Sequence, residues 1–322
     1  MSGIALGLAT GLAVGAVMSH EGLCFNSGLR QAVFERRPRV LRAFGFAIAL
    51  QLLAMPLLVA AGLDVVRIGL YPIAQLAGGA AFGAGMALAG GCIAGILWKT
   101  GAGSTATAIA LAGFALGELA ITGPAGGVRS ALDDAGPRPA DSSLFELAGT
   151  GYALPALVLG AALAAALAWR SRTGLVAGIA LGVVAIGAWL TGAGADHPYG
   201  LGFAGSVDGT VTALDGGGGI DAVPFPAWVA AGVVAGAALV GHGSLRVPDR
   251  ARARRALAGG LMMGVGATLA HGCNIGHGLT GIPLLSLGSL GATAVMAVAA
   301  LATWRLAVAP HAAVRGAERS AC

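Results

Sequence analysis

Apolar runs of membrane-spanning length follow one another along this chain, with little but glycine and a few arginines between them. A transmembrane helix needs about 20 predominantly apolar residues. Such runs fall near 3–19, 40–62, 72–91, 103–121, 150–169, 173–192, 222–243, 256–271 and 285–307. Charged residues are 10% of the 322, whereas soluble domains carry about 25%. The sequence therefore predicts an all-α integral membrane protein of about nine transmembrane helices. Its 56 glycines suit helices that approach backbone to backbone in lipid. The first run, 1-MSGIALGLATGLAVGAVMSH-20, lacks a basic leader and a clear cleavage site, so it reads as a span and not as a removable signal.

The net charge is +5, but the cations sit in short clusters between spans. Arg36, Arg37, Arg39 and Arg42 precede the second span, and Arg170 and Arg172 follow the fifth. Arg246, Arg250, Arg252, Arg254 and Arg255 precede the eighth, and Arg315 and Arg319 follow the last. No continuous basic face is present to track a phosphate backbone, so nucleic acid is not an expected partner. By the positive-inside rule these clusters are cytoplasmic. The connection 122–149 holds Asp133, Asp134, Asp141 and Glu146 against Arg129 and Arg138, and is assigned outside. All assignments agree with an N-terminus outside and a C-terminus inside the cell.

Three segments break the helical pattern: 19-SHEGLCFNSGLR-30, 90-GGCIAGILWKTGAGS-104 and 271-HGCNIGHGLTGIP-283. Each is apolar enough for membrane depth but rich in glycine. Irregular backbone at that depth is tolerated only where protein buries it or it lines a cavity. The last two segments are related. Gly83, Gly85, Leu88, Ala89, Gly91, Cys92 and Gly95 recur 181 residues later as Gly264, Gly266, Leu269, Ala270, Gly272, Cys273 and Gly276. A weaker match, at an offset of 178, pairs 22-GLCF-25 with 200-GLGF-203. Two repeated halves follow, over 1–121 and 173–307, the second with breaks near 196–214 and 271–283. The external loop 122–149 and a connecting fifth span over 150–169 lie between them, and 308–322 forms a cytoplasmic tail. An odd connector inverts one half against the other, the plan of transporters whose substrate site lies at broken helices near the midplane.

Cys24, Cys92 and Cys273 each stand in one of these breaks, whereas Cys322 is on the polar tail and is read as incidental. A single buried cysteine is usually a packing residue. Three in glycine-flanked breaks, two of them repeat mates, point to a path. A neutral thiol is a weak donor and a soft, polarisable group, suited to touching a sulfur-containing anion without trapping it. Backbone N–H groups at 25–28, 93–96 and 274–277 would add the anion preference of helix N-termini. Lys99 follows Cys92 by seven residues; it reads equally as a functional cation or as a side chain snorkelling to headgroups beside Trp98. His271, Asn274 and His277 surround Cys273, and His20, Glu21 and Asn26 surround Cys24. Helix–helix hydrogen bonding accounts for each of them equally well. Glu21 is expected to pair with Arg30 or a histidine. The cysteine spacing matches no zinc motif, so no metal and no cofactor are expected.

At 22-GLCFNSGLR-30, 91-GCIAG-95 and 271-HGCNIGHG-278 the chain resembles the YeeE/YedE family of membrane proteins, also called the sulphur-transport family. The resemblance spans nearly the whole length. It implies about nine helices in two inverted halves, with short broken helices meeting at the centre. It further implies uptake of thiosulfate along a narrow path of cysteines, here Cys24, Cys92 and Cys273, through S–H···S contacts. A small cytoplasmic TusA-like sulfur carrier is an implied partner. The expected function is inward transport of thiosulfate or a related sulfur anion; the substrate-path residues are Cys24, Cys92, Cys273, Lys99, Asn26, His271, Asn274 and His277. The alternatives are a membrane sensor of such an anion, or a thiol enzyme handling sulfane sulfur. The enzyme reading lacks a C-x-x-C pair or cofactor motif, and no P-loop for nucleotide hydrolysis is present.

Overall fold

The computed structural model describes residues 3–136, 142–241 and 245–308. Arg138, Asp141, Arg315, Arg319, Cys322 and nearly all of the 308–322 tail lie outside the described residues. The described chain is a helical bundle with two isolated bridges, Ser104–Arg246 and Ser143–Ser286, as its only extended pairing. Helices lie over all nine expected segments: α1 (Gly3–Glu21), α3 (Arg39–Ala60), α4 (Pro72–Ala89), α6 (Thr105–Thr122), α9 (Ala153–Arg170), α10 (Leu175–Ala193), α12 (Phe225–Val240), α13 (Arg250–Leu269) and α14 (Leu287–Thr303). Shorter helices complete the set: α2 (Phe25–Phe34), α5 (Ile93–Gly101), α7 (Gly126–Asp134), α8 (Leu144–Leu147) and α11 (Ser206–Asp215). Seven helical stretches are long and apolar enough to cross a membrane. Among the rest, α12 is 16 residues long, and α13 opens on an arginine cluster. This is a multi-pass membrane protein.

The breaks are shorter than their composition predicts. Only residues 22–24 separate α1 from α2, and 90–92 separate α4 from α5. At the second break the α4 helix ends on Gly90 in the left-handed region (φ 77°), where both the Gly90 and Gly91 N–H groups return to the Met86 carbonyl at 3.1 Å. Glycine adopts that conformation without a Cβ clash. The corresponding residue 181 positions on is His271, also left-handed at φ 60°. Beyond it, Gly276–Gly281 forms a wide turn closed by bonds such as Ile282 N–H to the His277 carbonyl at 2.8 Å.

Glycine sets how the long helices cross. A Cβ added to Gly78 would overlap the Ala270 amide and lie 2.7 Å from the Gly266 carbonyl. A Cβ on Gly259 would overlap the Ala89 amide and lie 2.7 Å from the Gly85 carbonyl. The α4–α13 crossing thus consists of backbone against backbone, the packing that small residues permit in lipid. Its contacts run antiparallel: Gly78 meets Gly266 while Gly85 meets Gly259. α1 and α10 also meet antiparallel, with Thr10 and Thr191 hydroxyls 2.7 Å apart and Gly3 beside Ala195.

The arginine clusters among the described residues gather at one end. Arg42 donates to the Thr173 hydroxyl at 3.0 Å, and the Arg246 backbone pairs with Gly103 and Thr105. Glu21 pairs there with Arg39, and Arg30 pairs with Glu35 at 2.6 Å. The expected partner of Glu21 is therefore corrected: Arg30 belongs to the next helix and reaches forward along it, while Arg39 comes back from the start of α3. At the opposite end α8 is tied on by Leu144 N–H to the Leu285 carbonyl, 2.9 Å, and by Arg67 to Glu146, 3.1 Å.

Candidate functional site

All three break cysteines are free and buried. They belong to one contiguous apolar cluster with Leu23, Ile93, Ile96 and Ile275. Cys24 and Cys92, far apart in sequence, bring their sulfurs to 3.9 Å. The pairing follows from the breaks: Cys24 is the residue before α2 and Cys92 the residue before α5, so each side chain projects from a helix start. Trp98 locks the two starts together by donating its indole N–H to the Leu23 carbonyl at 2.8 Å.

Cys92 and Cys273 have the same local geometry. The Cys92 sulfur accepts the Gly95 N–H at 3.4 Å, and the Cys273 sulfur accepts the Gly276 N–H at 3.4 Å. Each thiol caps a helical turn through the amide three residues on, the bond that a serine or aspartate makes at an ordinary helix start. Their neighbours differ. Cys24 presses on Gly95, where a Cβ would overlap its sulfur. Against Gly276 lies Tyr199, whose hydroxyl donates to the Gly276 carbonyl at 2.8 Å.

Two chambers flank these thiols. One, of about 840 Å³, opens at the arginine end and is lined by Gly90, Trp98, Lys99, Arg246, Arg252, Arg255 and Trp304. The other, of about 320 Å³, lies at the opposite end and is lined by Ile68, His197, Tyr199, Phe203, His271, Cys273 and Gly276. Cys24 and Cys92 line neither chamber and have no exposed surface. Cys273 is part of the lining of the smaller chamber, and Lys99 of the larger.

The other residues of interest divide by what they touch. Lys99 donates to the Gly90 carbonyl at 2.9 Å, so its charge sits at the C-terminal end of α4. Asn26 donates to the Met86 carbonyl at 3.0 Å and accepts from the Trp304 indole at 3.4 Å; it holds α2 against α4 and the end of α14. His277 is fully buried, with Nε2 3.0 Å from the Ala270 carbonyl and Nδ1 3.1 Å from the Ser289 hydroxyl. A carbonyl only accepts, so Nε2 carries the proton and Nδ1 accepts from Ser289. His271 stacks on Tyr71 at 4.2 Å. Its Nδ1 is 3.0 Å from an Arg129 nitrogen and its Nε2 is 2.7 Å from Asp133. Guanidinium has no lone pair, so Nδ1 accepts and Nε2 donates. His271 thereby ties α7 to the lining of the smaller chamber. Asn274 is 2% exposed, and neither its oxygen nor its nitrogen has a hydrogen-bond partner among the described residues.

Sequence reasoning missed Tyr199, Arg129 and the placement of Arg246, Arg252 and Arg255. Tyr199 adjoins 200-GLGF-203, the weaker repeat match to 22-GLCF-25; that match was the available signal for it. Arg246 precedes α13 and Arg252 and Arg255 lie in its first turns, and nothing local in the sequence shows that the three line one chamber.

Residues 20–302 match the sulphur transport family. The chain is 30% identical over 312 residues to the thiosulfate transporter TsuA of Spirochaeta thermophila, with 88% of this chain and 92% of that protein covered. It is 25% identical over 341 residues to the thiosulfate transporter TsuA of Escherichia coli, with 95% of each covered. With a family match across most of its length, this membrane protein belongs to the sulphur transport family, a family of transport and not of enzymatic function.

Proposed function

We propose that this protein carries thiosulfate, or a closely related sulfur anion, into the cell across the bacterial cytoplasmic membrane. The observation that supports this reading is three buried thiols in one apolar cluster, with Cys24 and Cys92 only 3.9 Å apart and Cys273 lining one of two chambers at opposite ends. The nine helices span the membrane with the arginine end in the cytoplasm. Glycine contacts support two inverted halves: adding 181 to one partner and subtracting it from the other turns the Gly78–Gly266 contact into the Gly259–Gly85 contact. A two-fold axis in the membrane plane predicts that exchange, and Thr10 and Thr191, also 181 residues apart, meet on it.

Bare transfer of a dianion into hydrocarbon is prohibitive. The anion enters the smaller chamber, meets Cys273, and passes to the Cys24–Cys92 pair. Each thiol offers S–H to the terminal sulfur, while neighbouring N–H groups oppose the charge. Weak stations in series suit passage, because an ion must leave as readily as it enters. Lys99 and the three arginines draw it into the larger chamber. That chamber also gives a TusA-like carrier a place to collect the sulfur. Asn26, His271 and His277 hold the breaks in register around the path.

The test is uptake of labelled thiosulfate into proteoliposomes. Cys24→Ser, Cys92→Ser and Cys273→Ser should each cut uptake strongly while the purified protein stays monodisperse. Wild-type rates in all three would remove the thiols from the mechanism, and no uptake by the unmodified protein would remove the function.

A further inference from the structure

We propose that Asn274 reads the oxygen end of the anion while Cys273 reads its sulfur end. This rests on the thiosulfate path above. Asn274 directly follows Cys273 and is the one amide side chain in 272–276. It is 2% exposed, and both Oδ1 and Nδ2 lack a partner among the described residues. A buried amide without partners destabilises the fold that holds it, so its place needs a reason.

Architecture does not supply that reason. Cys92 caps its helix with the same 3.4 Å bond that Cys273 makes, and the residue after Cys92 is Ile93, equally buried at 2%. The same turn is therefore built with an apolar side chain in the first half. At this position the second half carries an amide instead, directly after the thiol that lines the smaller chamber.

The carboxamide fits the task chemically. Its NH₂ offers two neutral donors to sulfonate oxygens without the electrostatic grip of a lysine or arginine. A thiol beside it offers S–H to a terminal sulfur. Thiosulfate has both ends. Hydrosulfide has no oxygen for the amide, and sulfate has no terminal sulfur for the thiol. The Cys24–Cys92 station, with two thiols and an isoleucine, lacks an amide donor at this position, so selection happens once, at Cys273.

The test uses full-length protein in proteoliposomes and in detergent. In Asn274→Leu the KM for thiosulfate should rise roughly tenfold or more, the loss of a hydrogen bond to a charged group. Inhibition by hydrosulfide should strengthen relative to the unmodified protein. The same variant should unfold at an equal or higher temperature without substrate, because two unmet polar groups are gone; a purely structural amide would give a lower one. Asn274→Asp keeps the size and places a carboxylate where the oxygens bind, so uptake should be lost while the fold persists. An unchanged KM and unchanged hydrosulfide inhibition in Asn274→Leu, or normal uptake in Asn274→Asp, would overturn the inference and leave the transport function standing. Absence of uptake by the unmodified protein would instead overturn the reading on which it rests.

Discussion

Replacing Gly95 by alanine tests the thiol geometry with one methyl group. The added Cβ would overlap the Cys24 sulfur and come within 3.2 Å of the Cys24 Cβ and 3.4 Å of the Cys92 sulfur. Alanine gains about 1 kcal/mol over glycine in a helix, whereas overpacking a buried site costs about 1–3 kcal/mol. The net destabilisation is therefore at most about 2 kcal/mol, small beside the 5–15 kcal/mol typical of a folded domain. The protein should fold. The Cys24 sulfur, however, must swing off its position 3.9 Å from Cys92, and uptake should fall far more than stability. The repeat mate Gly276 is the control. A Cβ there meets the Tyr199 hydroxyl at 3.3 Å and stays 3.9 Å from the Cys273 sulfur, so Gly276→Ala should retain most of its activity. Thermal unfolding in detergent and labelled thiosulfate uptake in proteoliposomes read the two quantities separately. Wild-type uptake in Gly95→Ala, or an equal loss in Gly276→Ala, would refute the reasoning.

His271→Gly removes a left-handed backbone penalty of about 1–2 kcal/mol together with the ring that holds Arg129, Asp133 and Tyr71. The bundle should survive, while amide exchange over 126–134 accelerates; unchanged protection there would show that His271 does not pin α7. Gly266→Leu drives a side chain into the Phe82 backbone and should cost more than the roughly 3 kcal/mol upper end of overpacking, visible as loss of the monodisperse peak. Gly187→Leu, on a helix face with nothing within 4 Å of the new Cβ, should chromatograph like the unmodified protein.

The sequence alone determined that this chain is a helical membrane protein, because lipid leaves no other way to satisfy the backbone of such apolar runs. It also located the breaks, since clustered glycines loosen a helix and mark where irregular backbone sits at membrane depth. The 181-residue repeat tied Cys92 to Cys273. What it missed depends on distance in space. Nothing in 19–30 and 90–104 says that Cys24 and Cys92 approach to 3.9 Å; that follows from two helix starts locked by one tryptophan. Glu21 found Arg39 instead of Arg30 because charge pairing is settled by which helix ends share a rim. The histidines look alike on paper, yet His277 is a buried strut, whereas His271 faces a chamber and holds a surface helix. The tertiary structure alone distinguished Asn26, with its amide bonded to Met86 and Trp304, from Asn274, with an amide that nothing among the described residues satisfies. Hydrogen-bond satisfaction is a property of surroundings, and surroundings exist only once the chain has folded.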